Sequence, residues 1–246
     1  MSWQCERLRL TAFTTEVVPF KNQNWWKEVV SYDPDTTTND NKSGTYLEIG
    51  EYEEGQLTLG IQGKRIDWIY SVKLELDKNR EIIPSIGKFD TSLQEFRKLT
   101  EKCLKIANLP IINRLAFGAS LFDPVKNHNV GYKKISKYLP SIKLSPKSSD
   151  FSYRINRPRN SKININGLKI NRLTTWLVSI YWKIGLTAVA EVTGEQDIND
   201  LYALHLDLDI NTTGDKIVKL PKKRLAEIRN ELFEIGIEIS IKGDIR

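Results

Sequence analysis

Residues 201–210 read LYALHLDLDI, and the run alternates without a break. Leu204, Leu206, Leu208 and Ile210 fall on one side, and His205, Asp207 and Asp209 on the other. A period of two over this length marks a strand with one buried and one polar face, the habit of antiparallel sheets. Downstream, Pro221 opens a helical run with Leu225, Ile228, Leu232 and Ile235 on one stripe. Gly236 stands where a C-cap glycine belongs, and a last strand is expected over 237–241. Upstream lie two long strand-like runs, FSYRINRP (151–158) and GLKINRLTTWLVSIYW (167–182). Before them come a strand from Ile111 to Phe122 and a short helix, GYKKISKYL (131–139), stopped by Pro140. The segment 184–200 shows no clear period.

The first part of the chain repeats this order. ERLRLTAF (6–13) alternates, and NWWKEVVSY (24–32) reads as a short helix stopped by Pro34. A loop of turn formers follows, DPDTTTNDNKSG (33–44). Then come three strands, TYLEIGEY (45–52), QLTLGIQ (56–62) and RIDWIYSVKLEL (65–76), punctuated by Gly55 and Gly63. A long helix over 92–107 opens with the capping box Ser92-Leu93-Gln94-Glu95 and aligns Leu93, Phe96, Cys103 and Ala107. Pro110 ends it. The expected fold is therefore α+β, as two similar lobes, each an antiparallel sheet with helices packed on one face. The lobes would be residues 1–109 and 110–246. Their packing about a pseudo-twofold axis is analogous to saddle-shaped folds of the TATA-binding-protein type, an analogy of shape that carries no function.

Composition narrows the chemistry. The 246 residues are 40% apolar and 28% charged, enough for a sizeable core. No apolar run approaches the roughly 18 residues of a membrane span. Charges near the start and the absence of a lipidation signal point to the cytoplasm. Two cysteines, Cys5 and Cys103, are too few for a disulfide framework, and Cys103 reads as a buried thiol. With only two histidines, a zinc site or a Ser-His-Asp arrangement has little to draw on. Gly60 to Arg65 lacks the pattern of a P-loop and reads as a hairpin turn. Trp25-Trp26 reads as a core anchor. No cofactor is expected.

Charge placement is the strongest functional signal. From Lys126 to Arg172 there are twelve Lys/Arg and one acid, Asp150, a local charge of +11. The other residues hold 25 Lys/Arg against 30 Asp/Glu. Such asymmetry points to an anionic partner. The triplet Ile-Asn-Arg occurs at 112–114, 155–157 and 170–172. On a strand, Ile and Arg of each triplet share a face. Arg157 and Arg159 would then lie side by side, with Arg172 joining from the next strand. Arginine forks suit phosphate or carboxylate. The candidate anion or nucleic-acid site is Lys133, Lys134, Lys137, Arg154, Arg157, Arg159, Lys162, Lys169 and Arg172. Tyr132, Tyr138, Phe151 and Tyr153 among these cations match what single-stranded nucleic acid needs. The competing reading gives these arginines packed stems and solvated heads. His205, Asp207 and Asp209 share a strand face and are the one candidate metal set, against a plain polar outer face.

INRLAFGASLFDPV, YKKISKYLPSI, the strand pair and LHLDLDIN with its following helix resemble, over about residues 90–235, an uncharacterised two-lobed bacterial family. Its members are often encoded near phage-defence and mobile-element genes. The resemblance implies a non-enzymatic accessory protein, an antiviral-complex subunit. With the basic segment it gives the leading expectation: a binding or scaffold subunit, not an enzyme, contacting nucleic acid phosphates. The alternatives are an adaptor or toxin-neutralising partner that meets an acidic protein, and a metal-dependent nuclease built on His205, Asp207 and Asp209.

Overall fold

The alternating runs become strands and the 3.6-period runs become helices in the computed structural model. It describes residues 2–19, 23–73, 82–145, 148, 150–181, 201–213 and 219–244. In chain order the elements are β1 (Gln4–Thr14), α1 (Trp25–Val30), β2 (Thr36–Asp40), β3 (Thr45–Tyr52), β4 (Gly55–Gln62), β5 (Arg65–Ser71), α2 (Phe89–Lys105), β6 (Ile112–Val125), α3 (His128–Tyr138), β7 (Ser152–Asn156), β8 (Arg159–Asn160), β9 (Lys169–Tyr181), β10 (Leu201–Thr212) and α4 (Leu225–Lys242). The strands form one antiparallel sheet in the order β2-β3-β4-β5-β1-β6-β10-β9-β7, with β8 also on β9.

The pleat sends every second residue to the helices. Leu8, Leu10, Leu59, Trp68, Leu115, Phe117, Leu206 and Ile210 are buried there. On this side the Phe233 ring of α4 stacks with Phe96 of α2 at 6.0 Å and tilts against Phe117 of β6 at 4.5 Å. A Cβ on Gly131 of α3 would meet Val178 of β9, and one on Gly50 of β3 would meet the Trp26 ring of α1. All four helices thus cover one face. Trp25 and Trp26 are buried anchors, and both cysteines are buried free thiols.

The strand order reads the same from the centre outward in both directions. In residues 1–109 the first strand, β1, pairs with the last, β5, then β4 and β3 follow; from residue 110 the first, β6, pairs with the last, β10, then β9 and β7. The correspondence extends to an irregularity. β1 carries a one-residue bulge at Glu6, and β6 carries one at Asn113. Displaced by 107 residues, the pair Arg7–Ser120 becomes Arg114–Phe13, and Cys5–Leu121 becomes Ile112–Thr14. Helices agree too. Shifting the eight buried positions of α2 by 136 residues lands on eight of the nine buried positions of α4, Phe233 being the extra one. The sheet nevertheless runs across the expected boundary at 109/110: β1 and β6 pair along their lengths, and one hydrophobic cluster draws on both sides.

Four local expectations are corrected. Helix α2 begins at Phe89, so Ser92 is a buried residue inside it and donates to the Ile86 carbonyl at 2.9 Å rather than capping. Gly236 does not end α4. A Cβ there would lie 2.8 Å from the Phe117 ring, so this glycine permits close helix–sheet packing. The helix runs on to Lys242 and stops at Gly243, φ +78°, which leaves no strand at 237–241. The polar stretch at 33–44 contains β2, a fully exposed edge strand of Thr, Asn and Asp. The segment 184–200 lies outside the described residues.

Candidate functional site

The basic segment does not gather on one surface. Arg157 grips Asp244 with two bonds, Nε to Oδ1 at 2.5 Å and Nη2 to Oδ2 at 2.6 Å. Tyr153 donates to the same carboxylate at 3.2 Å. Hydrogen bonding to Arg157 holds the Asp244 carboxyl below its ordinary value and raises the guanidinium in return. Arg159 meets Glu231 at 3.5 Å; Ser161 and the Lys162 amide bond the same Glu231 at 2.5 and 2.8 Å. Arg172 is buried, and its Nε donates to the Arg157 carbonyl at 2.6 Å. Burial, with Arg159 nearby, lowers its pKa. Lys134 pairs with Asp123. The three arginines come together as expected, but on the helix side, where Glu231 of α4, Asp244 just beyond it and the backbone occupy them. Lys133 and Lys137 are exposed on α3, Lys162 is exposed before β9, and Arg154 and Lys169 are exposed on β7 and β9. The interleaved aromatics are packing residues: Tyr132 is 3% exposed, Tyr138 stacks on Trp176, and Phe151 and Tyr153 pack against the core.

The triplets explain a second cluster. Ile155 and Ile170 face the helices, and Arg157 and Arg172 follow them there. In Ile112-Asn113-Arg114 the bulge at Asn113 breaks the alternation. Ile112 stays in the core, and Arg114 turns to the opposite face. The bulge at Glu6 likewise aims Arg7 to that face, and Arg9 follows by alternation.

Among the described residues no helix covers this open face. Its centre is small: Ala116, Gly118 and Ser120 of β6 line up with Thr11, Arg9 and Arg7 of β1. Arginines lie over it. Arg7 donates to Ser120 Oγ at 3.2 Å, and a Cβ on Gly118 would meet the Arg9 guanidinium at 3.3 Å. Arg114 donates to Asn211 Oδ1 at 2.9 Å and lies 4.9 Å from the Phe13 ring centre. The Nε atoms of Arg9 and Arg114 are buried without a hydrogen-bond partner. An amide ladder crosses the second half: Asn156 donates to Asn171, Asn171 to Asn211, and Asn211 to Asp209, each at 3.0–3.1 Å. Half-buried aliphatics flank the centre, Leu47, Ile49 and Ile69 on one side, Leu173 and Leu177 on the other.

His205, Asp207 and Asp209 do share a face, and it is this open one. They do not converge: among the described residues no three His, Cys, Asp or Glu side chains are placed to hold a metal. His205 instead joins a closed network. The Tyr181 hydroxyl donates to Glu6 at 2.5 Å and contacts His205 Nε2, so the network places the imidazole proton on Nε2. Burial pulls the His205 pKa down, against the pull of Glu6 and Asp207. Burial and the Glu6 bond drive the Tyr181 pKa up, so the hydroxyl holds its proton. At this end Ile83 packs on Phe122 and Ala203 and closes the face.

No family model, curated protein or solved structure matches the chain. Among the described residues no helix is long and apolar enough to cross a membrane.

Proposed function

We propose that the protein is a non-enzymatic binding subunit, built as an internal duplication, that takes nucleic acid phosphates on the open face of its sheet. The observation that carries this is the line of Arg7, Arg9 and Arg114 above small residues, none of them ion-paired among the described residues. Arginine stems often cover apolar surface while their heads stay in water. Three arginines in line without an ion-paired acid argue for more, because their planar forks are free to take phosphate oxygens. Arg7 and Arg114 are six rungs apart on the central pair, about 20 Å at the usual strand rise. Arg9 lies between them, and exposed Arg154 and Lys169 stand further out on the same face, beyond Asp207 and Asp209 of β10. Matching strand order, matching bulges and matching helix burial support the duplication, which puts the two bulge-borne arginines at equivalent positions.

The test is binding to unrelated oligonucleotides at low and moderate salt. Each neutralised phosphate on a single strand contributes about −0.7 to the slope of log K against log salt, so Arg7→Gln, Arg9→Gln and Arg114→Gln together should flatten it by about 2. Lys133→Gln with Lys137→Gln, on the helix-covered side, should leave it nearly unchanged. Failure of any oligonucleotide to bind at micromolar protein in low salt overturns the reading. Capture of an acidic protein without oligonucleotide binding would put the adaptor in its place.

A further inference from the structure

The two halves of the open face carry the same arginine but give it different company. Arg7, after the first bulge, reaches the Ser120 hydroxyl; Arg114, after the second, packs on the Phe13 ring. Phe13 and Ser120 are equivalent positions, so an aromatic platform is present at one end only. It is firmly held. Arg65 lies 6.0 Å from the ring centre on the neighbouring strand, and its Nη2 donates to Asp67 at 2.9 Å. Asp67 also accepts from Thr11 at 2.5 Å. Asn211 holds Arg114 from the other side. Phe13 is half-buried between two guanidinium groups, each hydrogen-bonded to a neighbouring side chain.

A half-buried ring flanked by two hydrogen-bonded arginines has the chemistry of a nucleobase platform: the base stacks on the ring or on a guanidinium plane backed by it, and the cations meet its phosphates. Bases inside a duplex are already stacked on each other and do not offer that face. We propose that the Phe13–Arg65–Arg114 site takes an unpaired base, so that the open face binds single-stranded nucleic acid, anchored by stacking at this end and by phosphate contact at the Arg7 end. This rests on the phosphate-binding reading above and names its ligand class.

Three probes of equal length separate the two claims: a single strand, the same strand with every base removed, and the duplex. The full-length protein should bind the single strand roughly five- to a hundredfold more tightly than the abasic strand, the range expected for one stacked base. Phe13→Ala should erase that ratio, even where loss of the ring behind Arg114 shifts affinity for both strands together, and Phe13→Trp should restore it. Circular dichroism of each variant confirms the fold. Equal affinity of the intact protein for base-bearing and abasic strands, or tighter binding to duplex, overturns the stacking site and leaves phosphate binding standing. No binding of any probe overturns both.

Discussion

The two faces of this sheet hold arginines in opposite ways. On the helix-covered face Arg157, Arg159 and Arg172 are matched to Asp244, Glu231 and a carbonyl. On the open face Arg7, Arg9 and Arg114 have a hydroxyl and an amide between them and, among the described residues, no ion-paired acid. The same residue type is structural where α4 supplies acids and available where nothing is laid over it. Charge density along the chain is blind to this, because the acids that hold Arg157 and Arg159 come from 87 and 72 residues further along. Substitutions on the covered face should therefore cost stability, and those on the open face should cost binding alone.

The largest effect belongs to the covered face. Leu232 is fully buried in α4. Leu232→Ala should lower unfolding free energy by about 2–5 kcal/mol, from lost burial and the cavity left behind. Urea denaturation measures it. A loss below about 0.5 kcal/mol would show that the helix layer is not the core, and the comparison would collapse.

Next comes the Asp244 latch. Asp244→Asn leaves Arg157 without its carboxylate and should cost about 1–3 kcal/mol, the range for hydrogen bonds to charged groups. Its pH dependence has a definite sign. The bond to Arg157 holds the folded-state pKa of Asp244 below the ordinary carboxylate value. The latch is therefore complete above that value, and its contribution is lost as pH falls through the lower folded-state value. Acid denaturation of the wild type and of Asp244→Asn should converge at the acid end. A gap that persists there would show that the asparagine disturbs packing and that the ion pair is not the cause.

The contrast also shows what residue order carries and what it does not. Strands and helices were legible wherever period and length agreed, as at 45–52 and 201–210, because pleat and helical turn impose those periods on any half-buried segment. β2 was not legible: every residue is exposed, so no alternation is written into it. Gly236 misled because a glycine inside a helix and one after it look alike, and only the Phe117 ring decides between them. The site was legible in part. Arg7 and Arg9 stand on the polar side of ERLRLTAF, and Arg114 closes the first triplet. Their gathering depends on two bulges and on strand pairings more than 100 residues apart. Overall charge carried no sign of them, since the first 125 residues are not basic.

The smallest expected effect is the sharpest probe of the open face. Gly118 lies in the middle of β6, where glycine weakens a strand by roughly 0.5–1 kcal/mol relative to alanine through its extra freedom when unfolded. The three atoms nearest an added methyl belong to the Arg9 guanidinium, at 3.3–3.5 Å. That group ends a flexible side chain whose Nε has no partner to lose. It can therefore move by a few tenths of an ångström at little cost. Gly118→Ala should leave stability unchanged or raise it by about 0.5 kcal/mol, while lifting Arg9 off the sheet and weakening oligonucleotide binding a few-fold. Arg9→Gln should weaken binding as well, and the double variant should lose no more than Arg9→Gln alone, because the methyl acts only through that guanidinium. Destabilisation by Gly118→Ala of more than about 1 kcal/mol would mean that Arg9 is held as firmly as Arg157, and the distinction between the two faces would fail at its centre.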